Sequence, residues 1–163
     1  NGIVVYDMFF SREDYYYFFK KNNNKNTTVL YSRGDEQHNL KIFRDVVPTR
    51  NKLVVLYKQL KKYSNVKPIY FTDFLIKIRN DIKIEVNEIL LANALKVFEE
   101  GKLIEYKLDN QKISYKILDV GTRIDITILN SFRELDDRLK NFIEFLKEWV
   151  DILEGGYWDG FIK

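Results

Sequence analysis

The chain has 163 residues, 45% of them apolar and 31% charged, with a net charge of +3 and no cysteine. That composition is ordinary for a soluble globular protein of one domain or two small ones, and it excludes disulfide scaffolds and thiolate metal centres. No run approaches the roughly 18 to 20 apolar residues a membrane span needs, and no signal peptide is visible, so a cytoplasmic protein without a membrane is expected. The first residue is Asn1 and strand-like residues follow at once, which reads as a piece cut from a longer protein.

In chain order, Ile3-Val4-Val5-Tyr6 is a short buried strand. A helix from about Arg12 to Lys21 follows, with Ser11 as its cap and Glu13-Asp14 in the first turn, where the helix dipole favours acids. Asn22 to Asn26 is a polar break. Thr28-Val29-Leu30-Tyr31 is a second strand, and Gly34-Asp35 leads into a short helix through Leu40, Ile42 and Phe43. This β-α-β-α order over residues 1–47 implies a right-handed crossover with parallel strands. The connecting turn, Asp7-Met8-Phe9-Phe10-Ser11, has no glycine, so the backbone cannot approach a phosphate there as a nucleotide site requires. Tyr15 to Phe19 is an aromatic run. Tyr15, Phe18 and Phe19 are expected to pack on the sheet, with Tyr16 and Tyr17 at the surface.

Pro48 ends this unit, and residues 48–121 read as a winged helix-turn-helix. Asn51–Tyr63 carries an apolar stripe at Leu53, Val54, Leu56, Tyr57 and Leu60. A second helix opens with Thr72 as cap, faces inward with Phe74, Leu75 and Ile78, and stops at Asn80-Asp81. A third runs from about Val86 to Glu100, nearly all apolar inside, and ends at Gly101, a residue suited to the left-handed cap position. Leu103–Leu108 and Lys112–Leu118 alternate around Asp109-Asn110-Gln111 as a hairpin, with Ile113, Tyr115 and Ile117 on one side.

Residues 122–163 supply a strand and a long helix. Arg123–Leu129 alternates, with Ile124, Ile126 and Ile128 on one face. Ser131 with Glu134 forms a capping box, and an apolar stripe at Phe132, Leu135, Leu139, Phe142, Ile143, Leu146, Trp149, Val150 and Leu153 either docks on the body or forms a coiled-coil seam. Gly155-Gly156 ends this helix. Tyr157-Trp158 beyond it are a packed flap or a disordered end. The whole is an α+β chain: a small β-α-β-α unit, a winged helix and a long C-terminal helix.

Chemistry is scarce. His38 is the only histidine, so zinc sites and Cys–His nucleophile pairs are ruled out, and no catalytic or metal-binding residue is assigned. Asp136-Asp137 and Glu99-Glu100 are adjacent pairs that point apart on a helix and read as solvated surface. Residues 48–118 hold 14 Lys and Arg against 8 Asp and Glu, whereas 119–163 hold 6 against 10. The basic excess therefore sits on the winged-helix segment, compatible with nucleic acid. Yet the third helix offers Asn87, Asn93 and Lys96 against Glu85, Glu88, Glu99 and Glu100, a poor set for reading bases beside phosphates. The candidate nucleic-acid contacts are Lys77, Arg79 and Lys83 near the second helix with Lys112 and Lys116 on the wing. Their alternative is a solvated lysine-rich surface.

Several strings resemble the C-terminal region of RecJ, the single-stranded-DNA-specific exonuclease, in its Gram-positive form. They are Ile3-Val4-Val5-Tyr6-Asp7, Val46-Val47-Pro48-Thr49-Arg50, Leu56-Tyr57-Lys58-Gln59-Leu60, the run from Ala94 to Ile104, and Arg123-Ile124-Asp125-Ile126. The resemblance covers about residues 3–150, and Thr49 stands where Asp is expected. It implies a parent enzyme that degrades single-stranded DNA from the 5′ end with manganese or magnesium, in recombination and mismatch repair. The catalytic motifs of that family belong to an N-terminal core, so this chain would be a non-catalytic accessory domain with no cofactor of its own. Its implied partners are single-stranded DNA, the single-stranded-DNA-binding protein and the nuclease core of the same chain. The other reading is a stand-alone winged-helix transcription regulator that dimerises through the last helix.

Overall fold

The computed structural model describes residues 2–6, 9–22, 26–30, 33–63, 66–118 and 124–155, with side chains described for all of these but 29, 33, 66 and 150–155. The expectations for Asp7-Met8, Tyr31, Arg123, Gly156, Tyr157-Trp158 and the side chains of Val150 and Leu153 lie outside that set. The chain mixes helices and strands and divides into two compact units, Asn1–Phe43 with Arg138–Lys163, and Arg44–Asp137. The sequence reading sets its boundaries at 47 and 121.

In the first unit, β1 (Gly2–Val5) pairs in parallel with β2 (Asn26–Val29), as the right-handed crossover requires. The second strand begins two residues earlier than the apolar residues suggest, because the polar Asn26 and Thr27 take ladder positions opposite Gly2 and Ile3. Between the strands runs α1 (Arg12–Lys21), capped by the Ser11 hydroxyl, which accepts from Asp14 N–H at 3.0 Å. Helix α2 spans Arg33–Val46, longer than the short helix expected. Tyr15 is buried together with Phe142, Phe145, Leu146 and Trp149 of α6 (Asn130–Gly155), and Phe9, Phe19, Leu40 and Phe43 pack on them. The α6 stripe is thus, at these positions, a docking face, and Phe145 belongs to it as well. Tyr16 and Tyr17 are exposed, as expected, and Arg12 forms an ion pair with Glu148.

The second unit holds α3 (Arg50–Lys62), β3 (Val66–Tyr70), α4 (Phe71–Asp81), α5 (Glu88–Glu100), β4 (Ile104–Asp109) and β5 (Lys112–Ile117). The three strands form one antiparallel sheet in the order β3-β5-β4. Leu53, Leu56 and Leu60 of α3, Phe74 and Ile78 of α4, and Leu90, Leu91, Ala94, Leu95 and Phe98 of α5 close on Ile104, Ile113 and Tyr115 of the sheet. Strand β3 went unread in the sequence because Pro68 lies inside it. A proline is tolerated there because β3 is an edge strand, and its register with β5 slips between Val66 and Ile69. The hairpin turn is Asn110-Gln111, both with positive φ (46° and 62°), the twist a two-residue hairpin needs. The Gln111 carbonyl accepts from Phe71 N–H at 2.8 Å, which ties the turn to the start of α4.

Four expectations at element ends are corrected. Thr72 does not cap α4; Tyr70 precedes that helix and makes no side-chain cap bond, so Thr72 lies inside the first turn. The third helix starts at Glu88 behind an Asn87 cap, not at Val86, because the Asn87 side chain accepts from Leu90 N–H at 2.7 Å. Gly101 is not left-handed: its φ is −72°, and Lys102 carries φ 53° instead. With Leu103 N–H bonded to Phe98 O at 2.8 Å, Lys102 occupies the left-handed position of a Schellman turn. Gly101 serves space: a Cβ there would come within 3.2 Å of Leu129 Cδ1 and 3.3 Å of Val97 O.

The fourth correction falls at 124–131. The expected strand is a single 3-10 turn, Ile126–Ile128, held by the Asp125 carboxylate through Thr127 N–H and its hydroxyl. Ser131 is not the cap of a capping box. The Glu100 carboxylate accepts from Asn130 N–H and Ser131 N–H, each at 2.8 Å, and from the Ser131 hydroxyl at 2.5 Å. A carboxylate reaching in from α5 thus satisfies the first amides of α6. Glu100 is therefore no merely solvated acid.

Candidate nucleic-acid interface

A helix reads base edges with free amide, guanidinium or ammonium groups. Of the candidates at α5, the two amides are engaged, while Lys96 is exposed. Asn87 caps the helix with its oxygen and donates its Nδ2 to Asp45 O at 3.3 Å, while Asn93 Nδ2 donates to Val46 O at 3.0 Å. Both amides hold the end of α2 in place. What α5 and the hairpin leave open is a hollow of about 510 Å³, floored by Phe71, Ala92, Leu95 and Ile113 and flanked by Ile89 and Leu108, each more than half exposed. Glu88, Asn93, Lys96, Tyr106 and Gln111 line it as well, so one acid and one cation share the hollow with the apolar surface.

The five candidate cations fall in three places. Lys77 sits on α4 with its Nζ 4.1 Å from the centre of the Tyr63 ring. Tyr63 also donates its hydroxyl to Asp81, where Gln59 Nε2 (2.8 Å) and Lys62 Nζ (3.1 Å) converge. Those donors, the Tyr63 hydroxyl first and Lys62 next, hold the Asp81 carboxyl below its usual range, and Lys62 is neutralised there. Arg79 donates Nε to Val86 O at 2.5 Å, locking the α4–α5 loop. It shares a hollow of about 480 Å³ with Lys83, opposite Asp45 and Glu85. Arg79 is thus first a structural residue, and the charge around it is mixed.

Lys112 and Lys116 share the solvent face of the sheet, because Ile113 and Tyr115 between and beside them point to the core. Register places Lys112 opposite Asp109 on one side and Tyr70 on the other, and Lys116 opposite Glu105; Lys107 pairs with Ser114 on the same face. Tyr70 is 51% exposed, and Lys112 Nζ lies 5.0 Å from its ring centre. The pair is a cation–π contact that leaves positive charge and aromatic surface side by side on the solvent face. The sequence reading missed Tyr70, whose role depends on the unread strand β3. No family model, curated protein or solved structure matches the chain.

The described residues include no group of three or more His, Cys, Asp or Glu able to hold a metal ion, and no described helix is long and apolar enough to cross a membrane. Tyr115 is buried, its hydroxyl donating to Leu60 O at 3.0 Å; burial pushes this phenol well above its usual range, so it is a structural group.

Proposed function

We propose that the elements from α3 to β5 form a winged helix-turn-helix, and that the chain is a non-catalytic accessory domain of a RecJ-like single-stranded-DNA exonuclease of recombination and repair. The helix–strand–helix–helix–hairpin order and the β3-β5-β4 sheet support the winged-helix reading. The resemblance in sequence supports the parent enzyme, and manganese or magnesium belongs to that parent's core. The observation that carries a contact with DNA is the Tyr70–Lys112 pair on the solvent face of the sheet, with Lys116 four residues along the same strand. It holds the strand by stacking and charge, without reading sequence. The occupied amides of Asn87 and Asn93 count against a transcription regulator that reads duplex DNA through α5.

Reversing Lys112 and Lys116 together to Glu tests the proposal by fluorescence anisotropy with labelled single strands. Single-strand contacts contribute about 0.7 each to the slope of log affinity against log salt, so the double reversal should flatten it by roughly 1.4. The loss should be the same for all sequences. Unchanged affinity and slope would remove this face from the account. Manganese and single-stranded DNA added to the chain alone should give no degradation; cleavage that purifies with the chain would overturn the non-catalytic role.

A further inference from the structure

Arg50, Val54, Tyr57, Lys58 and Lys61 fall at i, i+4, i+7, i+8 and i+11 on α3, which places them on one side of the helix. They form one wall of an open groove of about 680 Å³ whose floor is Leu53, Phe98 and Leu103 and whose far wall is Ile124 to Thr127. The three cations are exposed, as is Val54 at 44%, and Lys61 Nζ lies 5.9 Å from the Tyr57 ring centre. The one acid in the lining is Asp125. Its carboxyl is held below the usual range by the Thr127 hydroxyl and amide first and by the charges of Arg50 and Arg133 after them. Among the described residues the groove therefore presents three positive charges against one negative.

We propose that this groove is a second binding site for single-stranded nucleic acid, taking one or two bases against Val54 and Tyr57 while Arg50, Lys58 and Lys61 hold the backbone. The assignment rests on the proposed contact with DNA and extends it to a face that contact does not use. Charge complementarity selects an anionic occupant. The layout selects the kind: along the helix the cations are about 12 and 4.5 Å apart by the 1.5 Å rise per residue, beside a parallel strip of apolar and aromatic surface. A strand with phosphates on one edge and flat apolar groups on the other matches both strips at once. Stacking is tolerant of sequence, since every base has an aromatic face.

The test uses the full chain with a labelled oligothymidylate and with an abasic oligonucleotide of the same length, which keeps the phosphates and lacks the bases. The wild-type chain should bind the thymidylate about a hundredfold more tightly than the abasic strand, the effect of roughly one base stacked in the groove and one on Tyr70. Val54→Asp should shrink that preference to about tenfold, the share of Tyr70. Its melting temperature should stay close to that of the wild type, because at 44% exposure the position lets a carboxylate reach solvent. Lys58→Glu with Lys61→Glu should weaken both strands alike and flatten their salt dependence. The Lys112→Glu, Lys116→Glu chain should lose affinity yet keep the base preference. A preference untouched by Val54→Asp, with affinity still falling in the sheet-face variant, would overturn the groove and leave the sheet-face contact standing. The groove also falls if an acidic, apolar peptide binds and is released by Val54→Asp while the oligonucleotides are unaffected. Failure of the wild-type chain to bind either strand would overturn both sites.

Discussion

The turn after α5 gives a prediction whose sign separates two structures of the same sequence. A non-glycine residue in the left-handed region costs roughly 1–2 kcal/mol, and Lys102 stands there with φ 53°. Replacing it with glycine removes that strain but adds about 0.5–1 kcal/mol of unfolded-state entropy. Lys102→Gly should therefore stabilise the second unit by about 0.5–1 kcal/mol. For a domain of this size that is a rise in Tm of roughly 2–6 °C. Gly101→Ala should do the reverse. Its Cβ meets Val97 O, a carbonyl already fixed by accepting from Gly101 N–H at 3.0 Å, so the backbone cannot give way and the crowding costs about 1 kcal/mol. Thermal melts followed by circular dichroism compare the two variants with the wild type. If Lys102→Gly lowers Tm, the left-handed residue is Gly101 and the turn described above is wrong.

Glu100→Gln should cost about 0.5 kcal/mol, the lower end for a helix cap because the group is exposed and screened by salt. The Ser131 hydroxyl and then its amide hold the Glu100 carboxyl below 4.5. Its stabilisation is therefore complete above that pH and is lost as pH falls through the lowered folded value, so the wild type should lose this increment in acid while Glu100→Gln shows none of that dependence. Trp149, fully buried among Tyr15, Phe142, Phe145 and Leu146, should cost about 3–5 kcal/mol when replaced by alanine. Calorimetry should show the first unit melting early and the second nearly unchanged; loss of both together would mean that they do not hold separate cores. Tyr17→Ala, at a side chain 69% exposed, should shift Tm by no more than about 2 °C in the same scan.

Periodicity made the large elements legible. The α3, α4 and α5 stripes and the alternation of β4 and β5 follow from apolar spacing, and the parallel pairing of β1 with β2 follows from the strand–helix–strand order. The signal failed where the determinant is a distant partner. Strand β3 carries a proline and is stable only through β5, and the 124–129 alternation, though strand-like, closes a 3-10 turn around the Asp125 carboxylate. The cap of α6 is Glu100, thirty residues away from Asn130. At the candidate interface, composition pointed to lysines on the wing, and Lys112 and Lys116 do share a face. What spacing could not give was their company: Tyr70 beside Lys112, Asp109 and Glu105 opposite, and Arg79 bonded into its own loop.

The central claim is that the chain holds single-stranded DNA by charge and stacking and does not read its sequence. The most direct measurement is a titration of the intact chain with thymidylate, adenylate and mixed-sequence single strands, and with a duplex, each at two salt concentrations. The account predicts affinities for the single strands that agree within about threefold, fall together as salt rises, and exceed that for the duplex. A marked preference for one duplex sequence, or no binding to any strand at low salt, would contradict it.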